Sequence, residues 1–509
     1  MLIVKFIRRR SGLVFLILAL IPLVIYLIYL NPQARAARHL AAAHEAVTEM
    51  HPAILDKSAS AFHAWHSIAY ERAKELLPRV HSIADENALL NFYFAGYEDA
   101  HVNGHVSRSP FTWMDISSPR WAGWLTKATL NDFEVVMSAG GDDYPPVGAH
   151  LLSCNQQPID FFLKTNIAPY IDKRWNLLAA KDRSAEFLSV DTSYAHLLNR
   201  PNVSSCEFEI PSGSIKSFVF RWSAFGAEDE TQSMKIRYPS YGYPSVRKFA
   251  PKSYWVNVSD FKLNSTEAYQ HHQQLLKDLQ ALKDVDLIVF DTRMNNGGHS
   301  PFGDEIIKSS LGEKNLDYLQ RQLVEKEPGQ DAVFRASWKF YWSYDFIYKQ
   351  QQIRQGDNST ELKFFDVILS RLKQALDNHQ ETFLQSELGF EQFEHLAAEN
   401  AVQWQHKGKV VLLTSRNCFS SCLNFVDTLK QVPGLIHMGE PTNGDTIYTQ
   451  VAITSSSYLK EDYLITVPIK AYKKRWRGDN QAYVPDVIYE GNIYTDPLQD
   501  WVLDQLKHQ

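Results

Sequence analysis

The chain has 509 residues, 45% hydrophobic and 22% charged, an ordinary globular composition with room for two or three domains. A formal net charge of −6, with basic residues clustered only in the first ten residues and in the short patch Lys473-Lys-Arg-Trp-Arg477, argues against a nucleic-acid surface. Four cysteines (Cys154, Cys206, Cys418, Cys422) are too few for a disulfide scaffold and lack zinc spacing, so no metal or other cofactor is expected.

Lys5, Arg8, Arg9 and Arg10 precede an uncharged run from Gly12 to Leu30. Its 19 residues, at a rise of about 1.5 Å each, just cross a hydrocarbon core of ~30 Å. Positive charge is heavier before the run than after it, so residues 1–39 are expected to be a cytoplasmic stub and a transmembrane anchor. The expected protein is single-pass, with its body outside the cytoplasm, in a periplasm. The alternative is secretion after signal cleavage, because Ala34-Arg35-Ala36 is an A-x-A site. Export would place the cysteines where disulfides form.

Residues 40–110 read as a helical region. Phe62, Trp65, Ile68, Ala69 and Leu76 share a face, and Asp85 is the expected N-cap of a helix carrying Leu89, Leu90, Tyr93 and Tyr97. It ends in Glu98-Asp99-Ala100-His101-Val102-Asn103-Gly104-His105. The Asn-Gly turn breaks the helix, so a single histidine base fits better than a two-histidine metal site, and a plain polar loop is the alternative. Residues 111–249 are mixed, with a turn, strand and turn from Tyr144 to Pro158, a helix beginning at Ile159, and a strand over 217–222. From residue 250 to 509 the pattern is strand (Tyr254–Phe261), helix (Leu275, Leu279, Leu282), then a buried strand from Asp286 running into the Gly297-Gly298 turn. That is the unit of a parallel or mixed α/β sheet. Residues 311–400 interrupt it with an aromatic-rich helical insertion (Trp338, Phe340, Trp342), read as having its own small core.

The stretch from Lys409 to Thr446 carries the chemistry. Val410 to Leu413 is a buried strand, and Phe425, Val426 and Leu429 have helical spacing, so Ser420 and Ser421 fall at a strand-to-helix turn. Unpaired N–H groups and the helix dipole make that turn an oxyanion site. A serine there is a candidate nucleophile or simply an N-cap.

Several motifs together resemble the S41 family, the carboxyl-terminal processing and tricorn-like serine peptidases. Leu287 to Gly298 (LIVFDTRMNNGG) is similar to its "DLRxNxGG" turn, Cys418-Phe-Ser-Ser-Cys422 to its nucleophile turn, and Gly439-Glu-Pro-Thr-Asn-Gly444 to its "GExTxG" turn. Tyr254 to Phe261 resembles its opening core strand, Glu98 to His101 its "DGHT" segment, and Val147 to Pro158 a PDZ-type turn. The resemblance implies a mixed α/β core of ClpP/crotonase type, a PDZ-like segment, and a serine peptidase acting on polypeptide. It implies Ser420 as nucleophile, His101 as base with His105 in reserve, and an oxyanion hole from Ser421 and Gly297 or Gly298. The base lysine of the processing branch is replaced by Asp445, so the Ser–Lys dyad is absent and Asp445 is expected to support the histidine. Cys418 and Cys422 either join each other or pair with Cys154 and Cys206; Cys418–Cys422 with Cys154–Cys206 is the preferred assignment. The departure at Asp445 keeps a non-catalytic peptide- or ligand-binding member open as an alternative. An esterase is a third reading, although the elbow G-x-S-x-G is missing.

Overall fold

The computed structural model describes residues 31–108, 120–191, 202–237, 242–262, 265–326, 331–355, 360–389, 403–458, 461–475, 477–494 and 497–508. A six-stranded central sheet runs in the order Ser245–Ala250, Ser253–Asn257, Leu287–Asp291, Lys409–Thr414, Ile436–Gly439, Val487–Ile488. Its first pair is antiparallel and the rest are parallel. Both faces are covered, which is why Leu287–Asp291 is apolar and buried at every position but its last, a buried carboxylate. Ile288, Phe290, Val410 and Leu412 face the helices Thr266–Gln280, Pro301–Leu311 and Ser421–Leu429. Leu287, Val289, Val411 and Leu413 face Ile493 and the helix Leu498–Gln505.

A second sheet joins Asn103–Arg108, Glu461–Tyr472, Ala332–Arg335 and Thr382–Leu384 in that order, with Tyr448–Tyr458 also paired to Glu461–Tyr472. The helices Pro32–Met50, Ser60–Lys74 and Ile83–Ala95 pack on it. Residues 311–400 do not keep a core of their own, contrary to expectation. Phe334, Phe340, Ile368, Leu372 and Phe383 share one cluster with Leu40, Tyr93 and Ile465, because two strands of the insertion extend the second sheet. A third, antiparallel sheet holds Trp124–Ala128, Phe133–Ser138, His150–Cys154, Ser205–Glu209 and Ile215–Val219. Cys154 and Cys206 are register partners there and are disulfide-bonded.

The N-terminal expectations need correction. Among the described residues no helix is long and apolar enough to cross a membrane, and the run 12–30 lies outside the described residues. The transmembrane anchor, the single-pass topology and the extracytoplasmic placement that rested on it are therefore corrected. The first described helix, Pro32–Met50, packs Ala36, Leu40, Val47 and Met50 into the protein core, and Arg35 and His39 pair with Glu86. Arg35 and Ala36 of the A-x-A triplet are buried within it. The helix Ile83–Ala95 is capped by Ser82, whose side chain accepts from the Asp85 N–H, so Asp85 lies in its first turn and not at the cap.

Candidate active site

The strands Leu287–Asp291 and Lys409–Thr414 are parallel neighbours, so the turns that follow them emerge side by side. Ser415 Oγ donates to the Arg293 carbonyl at 2.6 Å, tying one turn to the other. The second turn is closed by the Cys418–Cys422 disulfide, both cysteines fully buried. Inside that bracket Ser420 has φ 58° and ψ −124°, a conformation that residues other than glycine rarely adopt. Such strain persists only where the surroundings enforce it, and it clusters at functional sites.

Ser420 occupies the N-cap of the helix Ser421–Leu429, yet its side chain makes no capping bond. Its hydroxyl lies instead 3.1 Å from His101 Nε2. The N-cap alternative is thereby set aside. His101 follows the Ile83–Ala95 helix and is fixed by the strand after it, where Asn103 pairs with Thr466 of the second sheet. The ring is buried, with the Phe419 ring 4.7 Å away.

Asp99 lies behind the imidazole. Its Oδ1 accepts from the His101 backbone N–H at 2.8 Å and faces Nδ1 at 3.4 Å. Its Oδ2 accepts from Thr446 Oγ1 at 2.8 Å. Burial on its own would push this carboxyl up, but contacts with His101 and His51 outweigh it and hold Asp99 well below the ordinary carboxylate range. An anion facing Nδ1 favours the tautomer protonated there, which leaves the Nε2 lone pair turned to Ser420.

Asp445 does not fill the role expected of it. Its carboxylate is bound by Arg475 at 2.7 Å and by Arg477, which also holds Asp427. The basic cluster near residue 475 therefore neutralises the position where the processing branch has lysine. His105 sits exposed in the strand Asn103–Arg108 opposite Leu464, and no hydrogen bond joins it to Ser420 among the described residues. Gly297 is corrected too. Its N–H donates to Asn295 Oδ1 at 2.9 Å and is not open to an oxyanion. What Gly297 supplies is space: at φ 94°, a Cβ there would lie 2.7 Å from the Phe419 carbonyl and 2.9 Å from Ser420 Cβ. Gly298 is exposed, and the bridge to Phe261 uses the Gly297 carbonyl and the His299 N–H, leaving the Gly298 N–H outside that pairing. Ser421 opens the helix, so its N–H has no intrahelical partner. Its hydroxyl donates to the Gly298 carbonyl at 2.6 Å and locks the two halves of this cradle together.

Sequence reasoning missed Asp99, Thr446 and the clamps that hold the turns. Asp99 stood in plain view two residues before His101, but only the fold reveals which carboxylate meets the ring. Glu440, of the Gly439–Gly444 turn, grips Arg416 through two hydrogen bonds, and Arg416 Nη1 donates to the Ala128 carbonyl at 2.7 Å. Arg174, next to Trp175 of the core packed on the third sheet, donates to the Gly444 carbonyl at 2.6 Å, a second tie to the site. Among the described residues no cluster of histidine, cysteine, aspartate or glutamate could hold a metal ion.

No curated protein sequence matches the chain. Residues 254–488 match peptidase family S41. Among solved structures, mature CPAF complexed with lactacystin has the same fold, with TM-score 0.58 and 13% identity over 93% of this chain and 98% of that one. A second structure of mature CPAF gives TM-score 0.56 and 13% identity, covering 93% and 96%. The turns of residues 287–298, 418–422 and 439–444 lie inside the matched span, so it is the region 254–488 that is a peptidase family S41 region, with Asp445 in place of the dyad lysine.

Proposed function

We propose that the chain cleaves polypeptide by acyl transfer through Ser420. His101 Nε2 takes the hydroxyl proton as Ser420 Oγ attacks the scissile carbonyl, and Asp99 orients the ring and stabilises the imidazolium. The N–H groups of Ser421 and Gly298 receive the oxyanion, each such donor being worth about 10²–10³ in rate. His101 then passes the proton to the leaving amine, and water, deprotonated by the same ring, releases the acyl group. An unstructured chain end or short peptide, guided past the PDZ-like segment, is the substrate this reading favours.

One observation carries the proposal. A serine in a strained conformation at a helix start leaves that helix uncapped and turns its hydroxyl to a buried histidine at 3.1 Å. The test is labelling of the purified full chain with a fluorophosphonate probe, beside Ser420→Ala and His101→Ala. Labelling of the wild type that is lost in both variants is expected. A folded wild type that does not label would overturn the reading in favour of a non-catalytic binding protein. Mature CPAF, which shares the fold, forms a complex with lactacystin, and competition by that compound is a second readout.

A further inference from the structure

Behind Asp99 lies a second histidine that the mechanism above does not use. The helix Pro32–Met50 ends at His51, whose own N–H bonds back to the Val47 carbonyl at 3.0 Å. Its ring is fully buried, stacked on Phe62 at 4.5 Å and set edge-on to Tyr448 at 4.8 Å. His51 Nδ1 accepts from the Ala53 N–H at 3.1 Å, so the proton of the neutral ring sits on Nε2. Among the described residues that Nε2 has no hydrogen-bond partner, and it faces Asp99 Oδ2 at 3.7 Å. A buried donor without a partner, aimed at a buried carboxylate, needs an explanation.

We infer that His51 is a positioning residue, its Nε2–H fixing the outer oxygen of Asp99 while the inner oxygen orients His101. This rests on the reading of Ser420 and His101 proposed above. A carboxylate sealed from water is unstable as an anion unless donors surround it. Thr446 supplies one donor to Oδ2, and His51 supplies the other group that faces it. Burial holds His51 below the ordinary histidine range, so it serves as a neutral donor. A cation in that place would draw the field of Asp99 away from His101. The titratable groups around the pair are His101 on one side, Tyr448 against the His51 ring, and Asp479 and His66 farther out.

The test measures the second-order rate constant for fluorophosphonate acylation of the full chain against pH. His51→Phe keeps the stack on Phe62 but removes the donor. It is expected to slow acylation about tenfold, less than the roughly 10²–10⁴ that assisted proton transfer itself contributes, because His51 acts only through Asp99. Less of Asp99's charge is then neutralised from behind, so more of it acts on His101 and favours the imidazolium. The acid limb of the profile therefore moves to higher pH. His51→Gln, which returns a neutral donor, is expected to restore most of the rate with the limb in place. If the Phe variant does not fold, His51→Asn replaces it: its amide accepts from Ala53 but does not reach Asp99, and it is expected to show the same slowing and shift. Variants that are uniformly slow with an unmoved limb, or that match the wild type, overturn the inference while labelling still depends on His101. Wild-type labelling that is absent or survives His101→Ala overturns the underlying reading and this one with it.

Discussion

Two aspartates compete for one role, and their surroundings separate them. Asp99 meets a histidine ring on each side, whereas Asp445 is held by two guanidinium groups. Asp99→Asn is expected to slow fluorophosphonate acylation by about 10³–10⁴ with little change in melting temperature, because the ring loses its preferred tautomer. Its acid limb moves down, opposite to His51→Phe, since the imidazolium loses its counter-charge. Asp445→Asn is expected to do the reverse, lowering stability by about 3 kcal/mol by weakening a buried ion pair, while the folded fraction labels normally. Equal rate losses in the two variants would undo this assignment. Gly297→Ala addresses space instead of charge. The added methyl meets the Phe419 carbonyl and Ser420 Cβ, so acylation is expected to fall at least a hundredfold in a chain whose far-ultraviolet circular dichroism is unchanged. A fully active alanine variant would mean that the turn has room the structure does not show.

At the scale of elements, the turn that carries Ser420 is held at both ends. The strand Lys409–Thr414 anchors its start through paired neighbours, and the Cys418–Cys422 bridge closes it onto the first turn of the Ser421–Leu429 helix. A loop this short lends only about 2 kcal/mol through chain entropy. Its larger effect is expected on Ser420, whose positive-φ backbone lies within the closed loop. The double variant Cys418→Ser/Cys422→Ser is expected to lose more acylation rate than stability: at least tenfold in rate against a melting temperature lowered by a few degrees. A stability loss with the rate intact in the folded fraction would assign the bridge to stability alone.

Across the whole molecule, the site is assembled from distant parts of the chain. His101 arrives just ahead of a strand of the second sheet and Ser420 just beyond a strand of the central sheet, while Arg416 ties to Ala128 of the third and Arg174 to Gly444. This build has a pH signature. His437, fully buried in the central sheet, is held by burial first and by the nearby Lys430 charge at about 3. A folded value below the unfolded one means its stabilisation is complete above pH 6.5 and is lost as pH falls toward 3. Between pH 7 and pH 5 the loss is about 2 kcal/mol from this one ring. Thermal melts are expected to show a lower midpoint at pH 5 than at pH 7, with a smaller gap in His437→Gln. Identical midpoints in the wild type would refute it.

The sequence by itself determined the family motifs and the strand–turn–helix around Ser420, and its resemblance pointed to the histidine that the structure places beside Ser420. Those signals are local, written in alternating burial, glycine placement and short-range spacing. The turn that carries Ser420, for instance, reads from Val410–Leu413 and Phe425–Leu429 alone. Only the tertiary structure decided which carboxylate backs that histidine, because Asp99 and Asp445 differ in partners contributed by Thr446, Arg475 and Arg477, not in type. It also decided that the Gly297 N–H is spent on Asn295, a matter of backbone direction that residue identity does not encode. The insertion's place was settled the same way: its apolar residues fit a private core as well as a shared one until strand pairing with Glu461–Tyr472 joined them to the N-terminal helices. Local periodicity fixes what a segment is, whereas pairing across hundreds of residues fixes what it touches.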